Sequence, residues 1–395
     1  KEMDRVKHDM IEFRPIGALP VMKVDKKTGY PITQDGESTE TVLKRGVEER
    51  VRRDIEHEEK VFDNYVTEKG KDSMIAVVHI DGNNMGLRIR KLIENEIDYV
   101  QAVNKMRNIS FNINHAYKSV FDSMKDKFQP KDRIDNRRYF VMKVLTAGDD
   151  ITYICNGKIA LDTVEYFCNL ITQKTMWHEE NETSKEDLQK YGFSICAGVA
   201  YIGSHFPFYD AYEIAEACCE SAKRMAKEGQ YKDGDRIGSW VDFQICKNVY
   251  AKNLESIREK EYVSPSGEKL LRRPYCILTD SDQDATYANT VRQNEKGYEQ
   301  FEKALRWFAF EAGENLPRSF AKAIRNAYPL GKGEIQNLVE FLKSRGKKIP
   351  SDEAQGEEIT IENMYMYTEE GTCAKWYDAL ELMDLVEEKC DETKA

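Results

Sequence analysis

The chain has 395 residues, 41% of them hydrophobic and 10% aromatic, so it can bury a sizeable core and is expected to divide into two or three domains. A formal net charge of −11 excludes a general nucleic-acid coat, which needs a basic surface, and leaves only local basic pockets for phosphates. No signal-peptide pattern and no apolar run near the ~20 residues of a membrane span is present, so no membrane is expected as a partner.

Residues 1–70 are polar and charge-rich, broken by turn-like stretches at Lys26–Gly29 and Gln34–Gly36, and read as a connector or the remnant of an upstream domain. The first residue is Lys1 rather than methionine, which suggests a fragment of a longer protein. Met74 to Ile80 is an almost unbroken apolar run and predicts a buried strand that ends at Asp81-Gly82. Val103, Met106, Ile109, Ile113, Ala116, Val120 and Met124 recur at helical spacing. Tyr139 to Leu145 and Ile151 to Cys155 then predict two strands joined through Gly148-Asp149. A helix is expected over Leu161 to Ile171, a strand over Phe193 to Ile202, a helix from Ala211 to Met225 that stops near Gly229, and a further strand over Trp240 to Cys246.

That order, strand, helix, strand, strand, helix, strand, is the ferredoxin-like unit, an α+β fold with an antiparallel sheet. Residues 71–250 are assigned to it. Residues 251–293 read as a linker with short strands, including a Ser-Pro-Ser-Gly turn at 264–267 and an apolar piece at Tyr275 to Leu278. Residues 294–395 read as a small helical domain, with stripes at Phe301, Leu305 and Phe308, at Leu338, Val339 and Leu342, and at Trp376, Leu380 and Leu385.

Nine cysteines (Cys155, Cys168, Cys196, Cys218, Cys219, Cys246, Cys276, Cys373 and Cys390) form no Cys-x-x-Cys pair. Several lie in apolar runs, where a thiol behaves as a small hydrophobe, and the odd number points to a reduced, cytoplasmic compartment.

The ferredoxin-like order sets the first strand beside the third, so Asp81 and the Gly148-Asp149-Asp150 turn should meet in space. Two or more carboxylates close together can hold Mg2+ or Mn2+ through hard oxygen ligands, and nucleotidyl transfer uses such ions. Asp81, Asp149 and Asp150 are the catalytic and metal-ligand candidates, with Gly82 as a further metal ligand. Gly82 and Gly148 also let a phosphate approach the backbone. Turn chemistry alone accounts for Gly and Asp at each position; their convergence rests on the strand order.

The segment His79-Ile80-Asp81-Gly82-Asn83-Asn84-Met85-Gly86, followed by Leu145-Thr146-Ala147-Gly148-Asp149-Asp150, resembles the palm domain of the large subunit of type III CRISPR effector complexes. That palm is shared with diguanylate cyclases of the GGDEF type. Gly192 to Gly198 and the helix Ala215 to Lys227 extend the resemblance over about 170 residues, and the helical end resembles that subunit's last domain more weakly. The resemblance implies a cyclase that converts ATP, or another nucleoside triphosphate, into cyclic or linear oligonucleotides in antiviral defence, with Mg2+ or Mn2+ as cofactor. It implies Lys223, with Lys227, as phosphate ligands, and Asn83, Gly86, Ala147 and Gly148 as parts of the nucleotide site. Asn84 either contacts base or ribose or caps the following helix. A cyclase holds two nucleotides face to face, so a second palm, from a homodimer or a partner subunit, is expected, together with CRISPR RNA complex subunits.

Two positions depart from the family's pattern: Ala147 stands where glycine is usual and Asn83 where many members carry aspartate. They favour an alternative, a catalytically silent nucleotide-binding or assembly subunit. A template-dependent polymerase ranks last, because no basic channel for a duplex is evident. The His8-Asp9 pair reads as surface rather than as a nuclease site, since a metal site needs several converging ligands.

Overall fold

The structure, a computed structural model, describes residues 74–128, 141–177, 188, 191–203, 206–246, 253–282, 285–351, 356–368 and 371–388. All of them belong to one compact unit, Phe62–Ala395; a second unit, Lys1–Val61, holds none of them. The readings made on residues 1–70, including His8-Asp9, and on Tyr139 and Cys390 lie outside the described residues.

Strand β1 (Met74–Gly82) is buried from Ile75 through Ile80, as an apolar run covered on both faces must be. It leads into α1 (Met85–Ile93) and the long α2 (Tyr99–Phe128), whose buried residues Ile109, Ile113, Ala116, Tyr117, Val120, Phe121 and Met124 follow the helical spacing of the sequence. The hairpin β2 (Val141–Ala147) and β3 (Asp150–Asn156), then α3 (Ala160–Ile171) and β4 (Ile195–Gly203), complete the ferredoxin-like unit. Helix α4 (Phe208–Ala226) follows, then the short hairpin β5 (Lys232–Asp233) and β6 (Arg236–Ile237), and β7 (Ser239–Ile245). β7 is parallel to β4, so β4, α4 and β7 form a βαβ crossover.

The main sheet runs β2-β3-β1-β4-β7-β8, with β8 (Tyr275–Ile277) antiparallel to β7 at its edge. Alternation along β1 sorts its side chains onto two layers. On one face α2 and α3 pack together through Tyr117 and Phe167, with ring centres 6.0 Å apart. The other face carries α4: the Tyr212 ring meets His79 edge-on at 5.7 Å. Gly198 of β4 sets how close that helix comes. A Cβ there would stand 1.9 Å from the Ala215 carbonyl oxygen and 2.4 Å from the Cys219 nitrogen, so only glycine lets α4 seat on the sheet.

The remaining helices are α5 (Leu254–Glu261), α6 (Thr286–Gln293), α7 (Tyr298–Arg306), α8 (Arg318–Ala327), α9 (Lys332–Ser344) and α10 (Tyr377–Leu382). Small two-stranded sheets, β9 (Lys348–Ile349) with β10 (Glu357–Glu358) and β11 (Tyr365–Thr368) with β12 (Gly371–Ala374), sit among them. One apolar cluster runs from Ile75 of β1 to Met383, carried across the joint by Phe301 of α7, which stacks on Tyr275 at 4.4 Å and meets Phe243 at 5.7 Å.

Beside that joint lies a buried charge network. Asp242 of β7 accepts two bonds from Arg258 at 2.8 and 2.9 Å, and Arg273 bonds Asp378 at 3.3 Å, Glu381 at 3.0 Å and Gln244 at 3.2 Å.

Some elements differ from the sequence reading. The helix anticipated after Asn84 is α1, a short helix separate from the long α2. Phe308 lies in a π-helical segment, Trp307–Glu311, that follows α7. Trp376 and Leu385 flank α10 instead of lying within it.

Candidate active site

Register explains why the predicted carboxylates approach one another. Ile80 of β1 pairs with Ile151 of β3, so the next residues outward, Asp81 and Asp150, stand at one level on neighbouring strands. The hairpin closes with Ala147 opposite Asp150, leaving Gly148-Asp149 as a two-residue turn. Gly148 has φ +68, the left-handed region such a turn requires and glycine enters without strain.

Lys223, near the C-terminal end of α4, reaches across the sheet: its Nζ bonds Asp81 Oδ2 at 2.5 Å and Glu220 Oε1 at 2.9 Å. Burial of the ammonium works against its charge, but the bonds to Asp81 and Glu220 outweigh it and hold the pKa above the ordinary lysine value. His79, two residues before Asp81 on the same face, sets Nδ1 3.2 Å from Thr152 Oγ1 and 3.5 Å from Asp150 Oδ1. Burial raises the Asp150 pKa; His79 opposes that shift and the Asp81 charge adds to it. Asp149 is raised too, by burial and then by the charges of Asp81 and Asp150. Beneath them the buried Tyr117 hydroxyl has its pKa pushed up by burial and by Asp149 and Asp81.

These residues fit a divalent cation on two observations. Asp150 Oδ1 is buried and has no hydrogen-bond partner, although a carboxylate oxygen out of water needs one. A Cβ on Gly82 would stand 2.8 Å from Asp149 Oδ2 and 2.9 Å from the Tyr117 oxygen, so the glycine keeps that space clear for the carboxylate. Among the described residues the only acidic group whose ligand atoms all lie within 4.8 Å of one another is a different one, Asp162, Glu165 and Glu302. Arg306 already pairs with two members of that group, at 2.7 Å from both Asp162 and Glu302. The palm carboxylates are spread by comparison: Lys223 holds Asp81 and His79 lies beside Asp150.

The other predicted residues divide by position. Asn83 is buried; its amide donates to the Gly238 carbonyl at 3.1 Å, bracing the β1 end against the residue before β7. Asn84 adopts φ +53 and makes no side-chain cap on α1, which removes the capping reading. With Arg88 and Lys91 it lines a cavity of about 260 Å3. A Cβ on Gly86 would meet nothing within 4 Å. Ala147 is exposed at the hairpin, and Lys227 is exposed one turn beyond Lys223. Gly148 and Asp149 form one wall of an open groove of about 830 Å3 whose other walls are Ile89 of α1 and Met106, Ser110, Phe111 and Asn114 of α2.

The sequence reading missed His79, Tyr117 and Glu220. His79 was within reach, since a period of two places it on the face of Asp81. Tyr117 and Glu220 carry no local signal beyond helical spacing.

Residues 74–233 match the family described as Cas10/Cmr2, second palm domain. Among curated proteins the sequence has no match. Among solved structures it is similar to the GGDEF domain of DgcB from Caulobacter crescentus in complex with c-di-GMP, at 12% identity over 58% of this chain and 97% of that one, with a TM-score of 0.28. It is also similar to the apo Csm1-Csm4 cassette, at 11% identity over 80% of this chain and 37% of that one, with a TM-score of 0.37. The catalytic core of a rhodopsin-guanylyl cyclase with converted specificity, in complex with ATPalphaS, matches at 12% identity over 33% of this chain and 57% of that one, with a TM-score of 0.21. Over residues 74–233 the chain is therefore similar to the second palm domain of the Cas10/Cmr2 family.

Proposed function

We propose that the palm is a metal-dependent nucleotidyltransferase of the cyclase kind, joining ATP into cyclic or linear oligonucleotides within a type III CRISPR complex. The observation that carries this reading is the assembly at one sheet end of Asp81, the Gly148-Asp149-Asp150 hairpin and Lys223, which lies 142 positions from Asp81. In the reaction a 3′-hydroxyl oxygen bonds the α-phosphorus of a second nucleotide, the bond from that phosphorus to the β-phosphate oxygen breaks, and pyrophosphate leaves with the electron pair while the hydroxyl proton passes to water.

Asp81, Asp149 and Asp150 would hold Mg2+ or Mn2+, which supplies Lewis-acid polarisation of the phosphate and a lowered pKa for the attacking hydroxyl. Lys223 takes the triphosphate as a point charge, and Lys227, four residues on, stands on the same helix face to extend that contact. The groove between α1, α2 and the hairpin receives the base: Phe111 and Met106 offer apolar surface, and Ser110 and Asn114 offer hydrogen bonds to a base edge. Asn83 supports the loop through its bond to Gly238. The groove is open, which suits a second palm that closes over the two nucleotides.

The test is incubation of the chain with each ribonucleoside triphosphate and Mn2+, following pyrophosphate release and products by mass spectrometry. Release with ATP, lost in Asp149→Asn plus Asp150→Asn, supports the reading; equal release by that variant defeats it. A second reading, a silent nucleotide-binding or assembly subunit, draws on the Asp81–Lys223 pair, which holds one candidate ligand. Thermal stabilisation by nucleotide without pyrophosphate release would select it.

A further inference from the structure

Tyr117 of α2 carries its hydroxyl to the floor of the palm site. The residue is fully buried, and the hydroxyl oxygen has no hydrogen-bond partner. A buried hydroxyl left without a partner destabilises a fold. The ring itself is gripped by two others: Phe193 meets it edge-on with centres 5.3 Å apart, and Phe167 lies at 6.0 Å. Phenylalanine would keep both contacts, so packing accounts for the ring and not for the oxygen.

Gly82 shows what the oxygen faces. A Cβ on that residue would lie 2.9 Å from the Tyr117 oxygen, 2.8 Å from Asp149 Oδ2 and 2.8 Å from Met85 Cγ. The phenol and the Asp149 carboxylate therefore flank one point beside the end of β1, and glycine at 82 keeps a methyl from standing between them. Of the side chains placed around the hydroxyl, Phe167 and Phe193 offer no acceptor, Met85 presents a methylene carbon, and Asp149 presents a carboxylate oxygen.

Electrostatics agree with that pairing. Burial raises the Tyr117 pKa, and the Asp149 and Asp81 charges raise it further, so the phenol keeps its proton and faces the carboxylates as a donor. Asp149 stands in the two-residue hairpin turn and is only half-buried, so packing does not enclose its carboxylate on every side.

We propose that Tyr117 is a positioning residue for the divalent ion: when Asp149 takes the ion through one carboxylate oxygen, the Tyr117 hydroxyl donates to the other, Oδ2, and fixes the plane of the carboxylate. The role rests on the metal-dependent reading of the palm given above. A hydrogen bond to the second oxygen orients a ligating carboxylate, and losing such a partner lowers metal affinity by about ten- to a hundredfold. In the metal-free protein the hydroxyl is unpaired and stabilises nothing. Tyr117→Phe is therefore harmless without the ion and costly with it.

The experiment is thermal melting of the full chain, first in EDTA and then over a MnCl2 series, for the parent, Tyr117→Phe, Asp149→Ala and the double variant. In EDTA Tyr117→Phe should melt at or above the parent, because an unpaired buried hydroxyl has been removed. The Mn2+ dissociation constant drawn from the rise in Tm should be about tenfold higher in Tyr117→Phe than in the parent. Asp149→Ala should weaken binding at least as much, and adding Tyr117→Phe to it should weaken binding no further, since the acceptor is gone. An unchanged constant in Tyr117→Phe, alongside a loss in Asp149→Ala, overturns the positioning role and leaves the metal reading standing. A further loss in the double variant gives the hydroxyl a role apart from Asp149 and also overturns it. So does a Tyr117→Phe variant that melts below the parent in EDTA, which assigns the hydroxyl to the metal-free fold. If the parent and Asp149→Ala respond to Mn2+ alike, the metal reading falls and the positioning role falls with it.

Discussion

The palm site and the network around Arg273 are built from the same residue types, yet their charges are in opposite condition. Around Arg273 burial works to raise the Asp242 pKa, but the Arg258 and Arg273 guanidinium groups outweigh it and hold the carboxyl below its ordinary value. At the palm Asp149 and Asp150 are raised, and Asp150 Oδ1 has no hydrogen-bond partner. Carboxylates held low by buried guanidinium groups brace a fold, while carboxylates raised by burial and by one another mark a place suited to a cation.

The sharpest way to break that contrast is to remove one member from each side. Arg273→Met leaves Asp242, Asp378 and Glu381 short of a buried cation and should cost about 3–5 kcal/mol in urea unfolding. Asp149→Asn with Asp150→Asn should instead leave the fold intact and lower pyrophosphate release by about a hundredfold or more. A palm variant that unfolds, or an Arg273 variant that does not lose stability, would erase the distinction.

Gly198→Ala comes next, because it tests whether the α4 seating delivers Lys223. Its methyl would collide with backbone at 1.9 Å, so about 1–3 kcal/mol or more should be lost, together with triphosphate affinity.

The pH dependence separates the two regions by sign. Asp242 has a depressed folded pKa, so its contribution is present above the unfolded value and is lost as pH falls through the folded one. Asp149 has a raised folded pKa, so its ionised form weakens the fold at neutral pH, and that penalty fades as pH falls toward 3.8. Asp149→Asn should therefore melt higher than the parent at neutral pH, with the gap closing in acid. The smallest effect concerns thiols. Burial pushes Cys373 up to about 11 and Cys196 and Cys246 up to about 12, so these three should resist alkylation at pH near 8 until the protein unfolds.

Much of this was legible in local pattern. The run Met74 to Ile80, the Gly148-Asp149 turn and the stripe from Ala211 to Met225 each announce an element by composition and period, and their order implies the sheet that joins Asp81 to the hairpin. What stayed hidden has no local period. Tyr275–Ile277 is only three residues long, and its place at the sheet edge depends on β7. Arg273 finds Asp378 and Glu381 at separations of 105 and 108 positions, and nothing near any of the three residues encodes the pairing. Asn83 looked like a nucleotide contact because of its neighbours; its burial against Gly238 is a tertiary fact.

The bond between Lys223 and Asp81 has a thermodynamic consequence. On the function proposed above, Asp81 would help hold a divalent ion while Lys223, which now bonds Asp81 Oδ2, would be loosened from it and made available to the triphosphate. Ion and nucleotide are then heterotropic partners: each lowers the half-saturation concentration of the other, by one common factor. Magnesium alone would then bind more weakly than magnesium with nucleotide.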